Sequence, residues 1–150
     1  MRYLYALIGV LALILAASAA LYSVELREDT YLDKDNASAK FSEEKTLWVT
    51  SIDGAPVREV YLGFKNNFKT DAQLVSKSQI ASAQLKLYPA EVGKAGNIVA
   101  YFVKDETLPT WTWEYRDKIK YNASANATVY ADKGECIMDV TPIIREAVAA

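Results

Sequence analysis

The chain has 150 residues, of which 51% are hydrophobic and 24% are charged, and its formal net charge is −2. That length suits a single domain, and a slightly acidic balance gives no basic footprint for binding nucleic acid. Because the sequence contains no histidine, triads and Cys–His pairs that need an imidazole are excluded, and so are histidine-ligated zinc and iron sites.

The first twenty residues have the pattern of a cleavable secretory signal. Arg2 is the only charge before Glu25, and a leucine-rich stretch gives way to small residues at positions 16–20. We therefore expect residues 1–20 to be removed as a signal peptide and residues 21–150 to form one secreted, extracellular domain. The alternative is an uncleaved membrane anchor, because the uncharged stretch is long enough to span a bilayer.

After the signal, alternating polar and apolar residues predict a series of short β-strands. Turn residues, such as Asp53-Gly54, separate them. Near the end, Thr141 as N-cap and Pro142 at the first helical position predict a two-turn helix over residues 143–149. The sequence thus predicts an all-β fold, a jelly-roll-like antiparallel β-sandwich with a short C-terminal helical turn. The predicted strands span residues 24–32, 46–52, 57–64, 80–88, 97–103, 125–131 and 135–140.

Several of these segments share motifs with a known domain family. Residues 80–88 read IASAQLKLY, and residues 58–64 read REVYLGF. Shorter matches are DTYL at 29–32, TLWV at 46–49, DETL followed by TW within 105–111, and DVT at 139–141. Together they resemble the DNRLRE domains, which are related to the repeat domain of archaeal disaggregatase. The resemblance implies a secreted, non-catalytic β-sandwich of the kind that accompanies polysaccharide-active enzymes and archaeal or bacterial surface proteins. Some such domains bind carbohydrate.

An aromatic stretch is the predicted carbohydrate-binding site. Trp111, Trp113 and Tyr115 alternate with polar residues, so in an extended stretch the three rings would lie on one face. Such a row can stack on sugar rings, while Glu114 and Arg116 hydrogen-bond hydroxyl or uronate groups. The alternative is that one or both tryptophans fill the core of the sandwich.

Acidic residues near the first strand suggest a structural calcium site. Calcium prefers roughly six to eight oxygen ligands, and sandwich modules hold it between their first and last strands. The predicted ligands are Glu28 and Asp29, with Asp139 as the partner from the last strand. The alternative is an acidic face that is simply solvated.

Three glycosylation sequons fit an exported protein. They begin at Asn36, Asn122 and Asn126, and the closeness of the last two predicts an exposed loop. Cys136 is the only cysteine, so no intrachain disulfide can form. We expect it to be a small buried apolar residue, with an intermolecular disulfide as the alternative.

The leading interpretation is a secreted, non-catalytic module that binds or organises extracellular polysaccharide at the cell surface. Two of the three carboxylates at 105, 106 and 114 could in principle form the catalytic pair of a glycosidase. No sequence feature marks them as such a pair, so we predict that the protein is not an enzyme. The alternative is a self-assembling subunit of a surface layer, sheath or filament, with other subunits as partners. Domains of the resembled family continue with one more strand, whereas this sequence stops at Ala150. An open sheet edge would invite strand addition by residues 21–26 of a neighbour, unless those residues pair within their own sheet.

Overall fold

The computed structural model describes residues 23–65, 69–70, 73–74, 76–104 and 110–149, so the predicted signal peptide lies outside the described residues. They form mostly antiparallel strands and one helix, which confirms the all-β prediction. The strands are β1 (Leu26–Asp33), β2 (Thr50–Ile52), β3 (Ala55–Phe64), β4 (Lys69–Thr70), β5 (Gln73–Leu74), β6 (Gln84–Leu87), β7 (Gly96–Val103), β8 (Tyr121–Ala131) and β9 (Cys136–Asp139), and the helix is α1 (Thr141–Ala149). In this part of the chain, no helix has the length and apolar character needed to cross a bilayer.

The strands pair as one three-stranded sheet and three two-stranded ribbons. The three-stranded sheet has the order β1-β3-β2, and the ribbons are β4–β5, β6–β9 and β7–β8. The hairpin between β2 and β3 turns at Asp53 and Gly54, whose φ angles are 51° and 79°. Two consecutive residues with positive φ are what a two-residue hairpin loop requires, so the predicted Asp-Gly turn is confirmed.

The buried side chains of the described residues form two clusters. The first core is built around Leu32, Trp111 and Ile119, with Tyr61, Val103, Trp113 and Tyr115 packed against them. The second core is built around Ala127, Met138 and Val140. Its flanking apolar residues come from β6, β7, β8 and α1: Ala83, Leu85, Leu87, Ile98, Ala100, Val129, Ile143 and Ile144. The ribbon β7–β8 contributes to both cores and connects the two halves of the molecule.

The N-terminal strand pairs within its own chain. The Lys65 N–H donates to the Glu25 carbonyl at 2.9 Å, and Leu26 lies opposite Phe64. Glu25 and Leu26 are the last two residues of the segment 21–26 that was predicted to add to a neighbouring molecule. Strand addition by residues 21–26 would therefore have to break bonds that the chain already makes with itself.

The helix begins two residues earlier than predicted, and its N-terminus is capped differently. Thr141 is the first helical residue, not the N-cap, because the Asp139 carboxylate accepts its N–H at 3.0 Å. The Thr141 hydroxyl donates to the same carboxylate and accepts the Ala83 N–H at 2.9 Å. One buried hydroxyl thus joins the helix start to the residue before β6.

Replacing Thr141 by valine keeps the side-chain shape and removes both hydrogen bonds. We expect a loss of about 1.5 kcal/mol in the free energy of unfolding, because the part-buried Ala83 N–H loses its acceptor. Urea unfolding of the variant measures the loss. Thr128→Val, at an exposed position on β8, is the matched control and should change stability by less than about 0.5 kcal/mol. Equal stability of the two variants would contradict the proposed role of the hydroxyl.

Candidate functional site

The predicted aromatic row at 111–116 does not form an extended surface. Trp113–Lys118 is a 3-10 helix, and the Trp111 side chain is only 1% exposed. The Trp111 ring meets Tyr61 edge-on at 5.0 Å and stacks on Tyr115 at 6.2 Å between centroids. The predicted arrangement of three rings on one open face is wrong, because burying an indole in the first core is favoured over leaving it in water. The stated alternative of a core tryptophan describes Trp111.

Arg116, the predicted sugar-binding cation, is already occupied within the protein. Its Nε and one terminal nitrogen donate to the two carboxylate oxygens of Glu59 at 2.9 and 2.7 Å. Its guanidinium also lies 5.3 Å from the centre of the Trp113 ring. Donation of these hydrogen bonds to Glu59 raises the pKa of Arg116 above its ordinary value, so the guanidinium stays charged. This Glu59–Arg116 pair ties β3 to the 3-10 helix.

Tyr61 extends the pair toward the first core. Its hydroxyl donates to Glu59 at 3.0 Å. Burial, followed by the negative charge of Glu59, raises the pKa of Tyr61 far above its ordinary value. The phenol therefore stays neutral and keeps donating. The fifth residue of the predicted site, Glu114, is exposed, and its backbone N–H donates to the Ala37 carbonyl at 3.2 Å.

An exposed aromatic surface lies elsewhere, on the ribbon β7–β8. Tyr101 is 44% exposed, Tyr130 is 62% exposed, and Val99 between them is 45% exposed. Cross-strand pairing aligns their neighbours on the same side, because directly opposed residues in an antiparallel ladder share a face. The pairs are Asn97–Tyr130, Val99–Thr128 and Tyr101–Asn126. We call these six residues the tyrosine face. The opposite side of the ribbon, which carries Ile98, Ala100, Ala127 and Val129, belongs to the second core.

The tyrosine face has the chemistry of a sugar platform. Its two rings stand at opposite corners, and the four residue steps of β7 from Asn97 to Tyr101 correspond to about 13 Å of strand. The polar groups among the rings are two amides and one hydroxyl, all of which both donate and accept hydrogen bonds. None of the six side chains is charged. This composition suits the hydroxyl groups and apolar ring faces of a sugar chain.

A third exposed tyrosine lies next to one end of the tyrosine face. The Tyr121 ring, which is 60% exposed, lies 5.1 Å from the Tyr101 ring between centroids. A bulge produces this arrangement, because β8 carries three extra residues, 123–125, between the partners of Tyr101 and Phe102.

A second exposed aromatic lies beside the three-stranded sheet. Trp48 is 42% exposed, and the Arg58 guanidinium is 6.0 Å from the centre of its ring. Arg58 Nε donates to the Asp33 carboxylate at 3.0 Å, and the Asp33 side chain is 3% exposed. We call Trp48 and Arg58 the Trp48–Arg58 pair. Sequence analysis did not single out either residue, because the contact depends on the register that places Arg58 opposite both Asp33 and Thr50.

The predicted calcium ligands are distributed over two sheets. Glu28 and Asp29 line a shallow hollow on β1, next to Leu26, Arg27 and Ser42. Asp139 lies on β9, which pairs with β6 and not with β1. Hydrogen bonds from Thr141 lower the pKa of Asp139, whose carboxylate already serves the helix start. Among the described residues, no group of three or more acidic or cysteine side chains is arranged to hold a metal ion. Calcium binding stays a prediction.

The three sequon asparagines differ in their surroundings. Asn36 is exposed and donates to Asp33 at 3.2 Å. Asn122 donates to Glu146 on α1 at 2.9 Å, and exposed Asn126 donates to the Ala123 carbonyl at 2.8 Å. The sequence predicted an exposed loop for Asn122 and Asn126. Both residues instead lie on β8, where they flank its bulge. Glycosylation of any of the three stays a prediction.

The model of carbohydrate-binding module family 96 matches residues 20–150, which is most of the chain. No curated protein and no solved structure matches the sequence. The family match agrees with the expected type of module, whereas the more specific resemblance to DNRLRE domains stays a prediction.

Proposed function

Because the chain belongs to carbohydrate-binding module family 96, we propose that it is a secreted, non-catalytic module that binds polysaccharide at the cell surface through the tyrosine face. The observation that carries this proposal is the pair of exposed rings, Tyr101 and Tyr130, on one side of the β7–β8 ribbon, whose other side packs in the second core. A ribbon anchored by the second core holds the rings in place before the sugar arrives. Preorganisation of this kind lowers the entropy cost of binding.

The composition of the tyrosine face also supports this role. Stacking on a phenol ring uses the apolar side of a sugar, and the amides of Asn97 and Asn126 supply donors and acceptors for its hydroxyl groups. The predicted binding residues Trp113 and Arg116 then take a structural role, since Trp113 packs on the first core and Arg116 is held by Glu59. We propose a non-catalytic role because carbohydrate-binding modules typically bind the sugar, while separate domains catalyse the reaction.

We considered the alternative of a self-assembling surface-layer or filament subunit. Its proposed donor strand is partly used within the chain, because Glu25 and Leu26 already pair with the end of β3. No described feature favours assembly over sugar binding. We therefore propose that the protein binds polysaccharide at the cell surface.

The test replaces each ring of the tyrosine face by alanine in a protein that comprises residues 21–150. We expect Tyr101→Ala and Tyr130→Ala each to weaken binding about 5-fold, because a stacking contact contributes about 1 kcal/mol. Affinity electrophoresis through gels that contain neutral or acidic polysaccharides measures the change. Tyr88→Ala, which removes a 71% exposed ring near β6, is the matched control and should bind normally.

The melting temperature of each variant must stay near that of the wild type, since the rings contribute little to either core. If both platform variants retain full affinity for a polysaccharide that the wild type binds, the tyrosine face is not the binding surface. If the wild type binds no polysaccharide in the panel, the proposed function itself is wrong.

A further inference from the structure

The Trp48–Arg58 pair combines an open aromatic ring with hydrogen-bond donors that remain free. The Asp33 carboxylate holds Arg58 Nε, and because Asp33 is buried, the guanidinium is fixed in position. The two terminal nitrogens of Arg58 have no hydrogen-bond acceptor among the described residues, although the Arg58 side chain is 32% exposed. The guanidinium lies 6.0 Å from the centre of the Trp48 ring, which is 42% exposed.

Arg116 provides an internal comparison. It also lies over a tryptophan, but its Nε and a terminal nitrogen are both bonded to Glu59, and its other terminal nitrogen lies 3.6 Å from Asp117. Arg116 is thus paired along its whole fork, as expected of a residue that ties two elements together. Within the described part of the chain, Arg58 is hydrogen-bonded only through Nε, which leaves its two terminal nitrogens for another molecule.

We propose that the Trp48–Arg58 pair is a second sugar-binding surface of this module. The inference rests on the proposed function, because it assigns the same class of ligand to a separate place on the fold. The ligand is a sugar ring whose apolar side stacks on Trp48. Two neighbouring oxygens of that ring accept hydrogen bonds from the terminal nitrogens of Arg58. Adjacent hydroxyl groups and a uronate carboxylate both present two oxygens in this way.

The position of the pair makes the module bivalent. Along β3, Tyr61 faces the first core, so Arg58, three residues earlier, projects from the opposite side of the three-stranded sheet. The tyrosine face belongs to β7–β8, and Val103 at the end of β7 packs on the first core. The two surfaces therefore belong to different sheets, both of which contribute side chains to the first core. One molecule can hold two polysaccharide chains, or two parts of one chain, which raises avidity and cross-links the polymer.

The experiment compares binding stoichiometry with cross-linking. Isothermal titration with a short soluble oligosaccharide should give two sites per wild-type chain and one site in Trp48→Ala. Mixing with the long polysaccharide should give turbidity with the wild type and none with Trp48→Ala, which still binds through the tyrosine face. Val49→Ala, an adjacent residue that is 56% exposed and has no ring, is the matched control and should behave as the wild type.

Two further arms identify the ligand and separate the possible failures. If the sugar is a uronate, binding at this surface should weaken as salt increases, whereas binding of neutral hydroxyl groups should not. One site in the wild type that Tyr101→Ala weakens and Trp48→Ala does not, or two sites retained in Trp48→Ala, would overturn the second surface and leave the proposed function intact. Loss of binding in Trp48→Ala with no effect of Tyr101→Ala would support the Trp48–Arg58 pair and remove the tyrosine face.

Discussion

Replacing Trp111 by alanine should lower the free energy of unfolding by about 4 kcal/mol. The indole is 1% exposed and sits at the centre of the first core, in contact with Tyr61 and Tyr115 as well as the buried aliphatic residues. Alanine at this position would leave a cavity between β1, β3 and the 3-10 helix. The surrounding strands can close that cavity only in part, so the lost burial is not recovered.

Chemical denaturation with circular dichroism detection measures this loss. Trp48→Ala is the appropriate control, because it removes the same side chain from an exposed position and should cost less than about 1 kcal/mol. If Trp111→Ala instead kept its stability and lost only polysaccharide binding, the original prediction of a surface role for this ring would be restored.

Replacing Asp33 by alanine should cost about 2 kcal/mol at neutral pH. The buried carboxylate accepts the Asp35 N–H at 3.0 Å, the Asn36 amide at 3.2 Å and Arg58 Nε at 3.0 Å. Alanine would leave these donors without their acceptor, and loss of one member of a buried charged pair is strongly destabilising. We place the value below that of a fully buried pair because about a third of Arg58 is exposed to water. Asp35→Ala, at an exposed position in the same turn, is the control.

The stability difference between the wild type and Asp33→Ala should also depend on pH. Burial opposes ionisation of Asp33, but the hydrogen bonds from Asp35, Asn36 and Arg58 outweigh it, so the pKa of Asp33 lies below its ordinary value. A carboxyl group with a depressed pKa contributes stability above its unfolded-state pKa, and the contribution is lost as pH falls through the folded-state value. The stability difference between wild type and Asp33→Ala should therefore be constant near neutrality and shrink below about pH 4. A difference that grows in acid would contradict this assignment.

The predictable parts of the fold are those in which local pattern and burial agree. Ala83, Leu85 and Leu87 face the second core as the alternation around β6 indicated. The Asp53-Gly54 turn was also correct, because two successive positive φ angles strongly favour those residues. In both cases neighbours in sequence determine the structure, so no information about distant segments was needed.

The candidate site was less predictable because it depends on pairing between distant segments. The alternation of Trp111, Trp113 and Tyr115 suits a strand, but Leu32 and Ile119 enclose Trp111 and a 3-10 helix follows. Residues 97–103 are apolar at most positions, so the exposed side of β7 could not be distinguished from its buried side. Its register with β8 also includes a three-residue bulge that no local pattern announces.

The single cysteine gives the molecule a built-in reporter of local opening. Cys136 is 5% exposed on β9, opposite Leu87 and two residues from Met138 of the second core. All three tryptophans belong to the other half, in or beside the first core and its three-stranded sheet. Alkylation of the thiol under native conditions thus follows exposure of one half, while indole fluorescence follows the other. Agreement of the two signals would mean that the halves unfold as one cooperative unit, and disagreement would give the free energy of each.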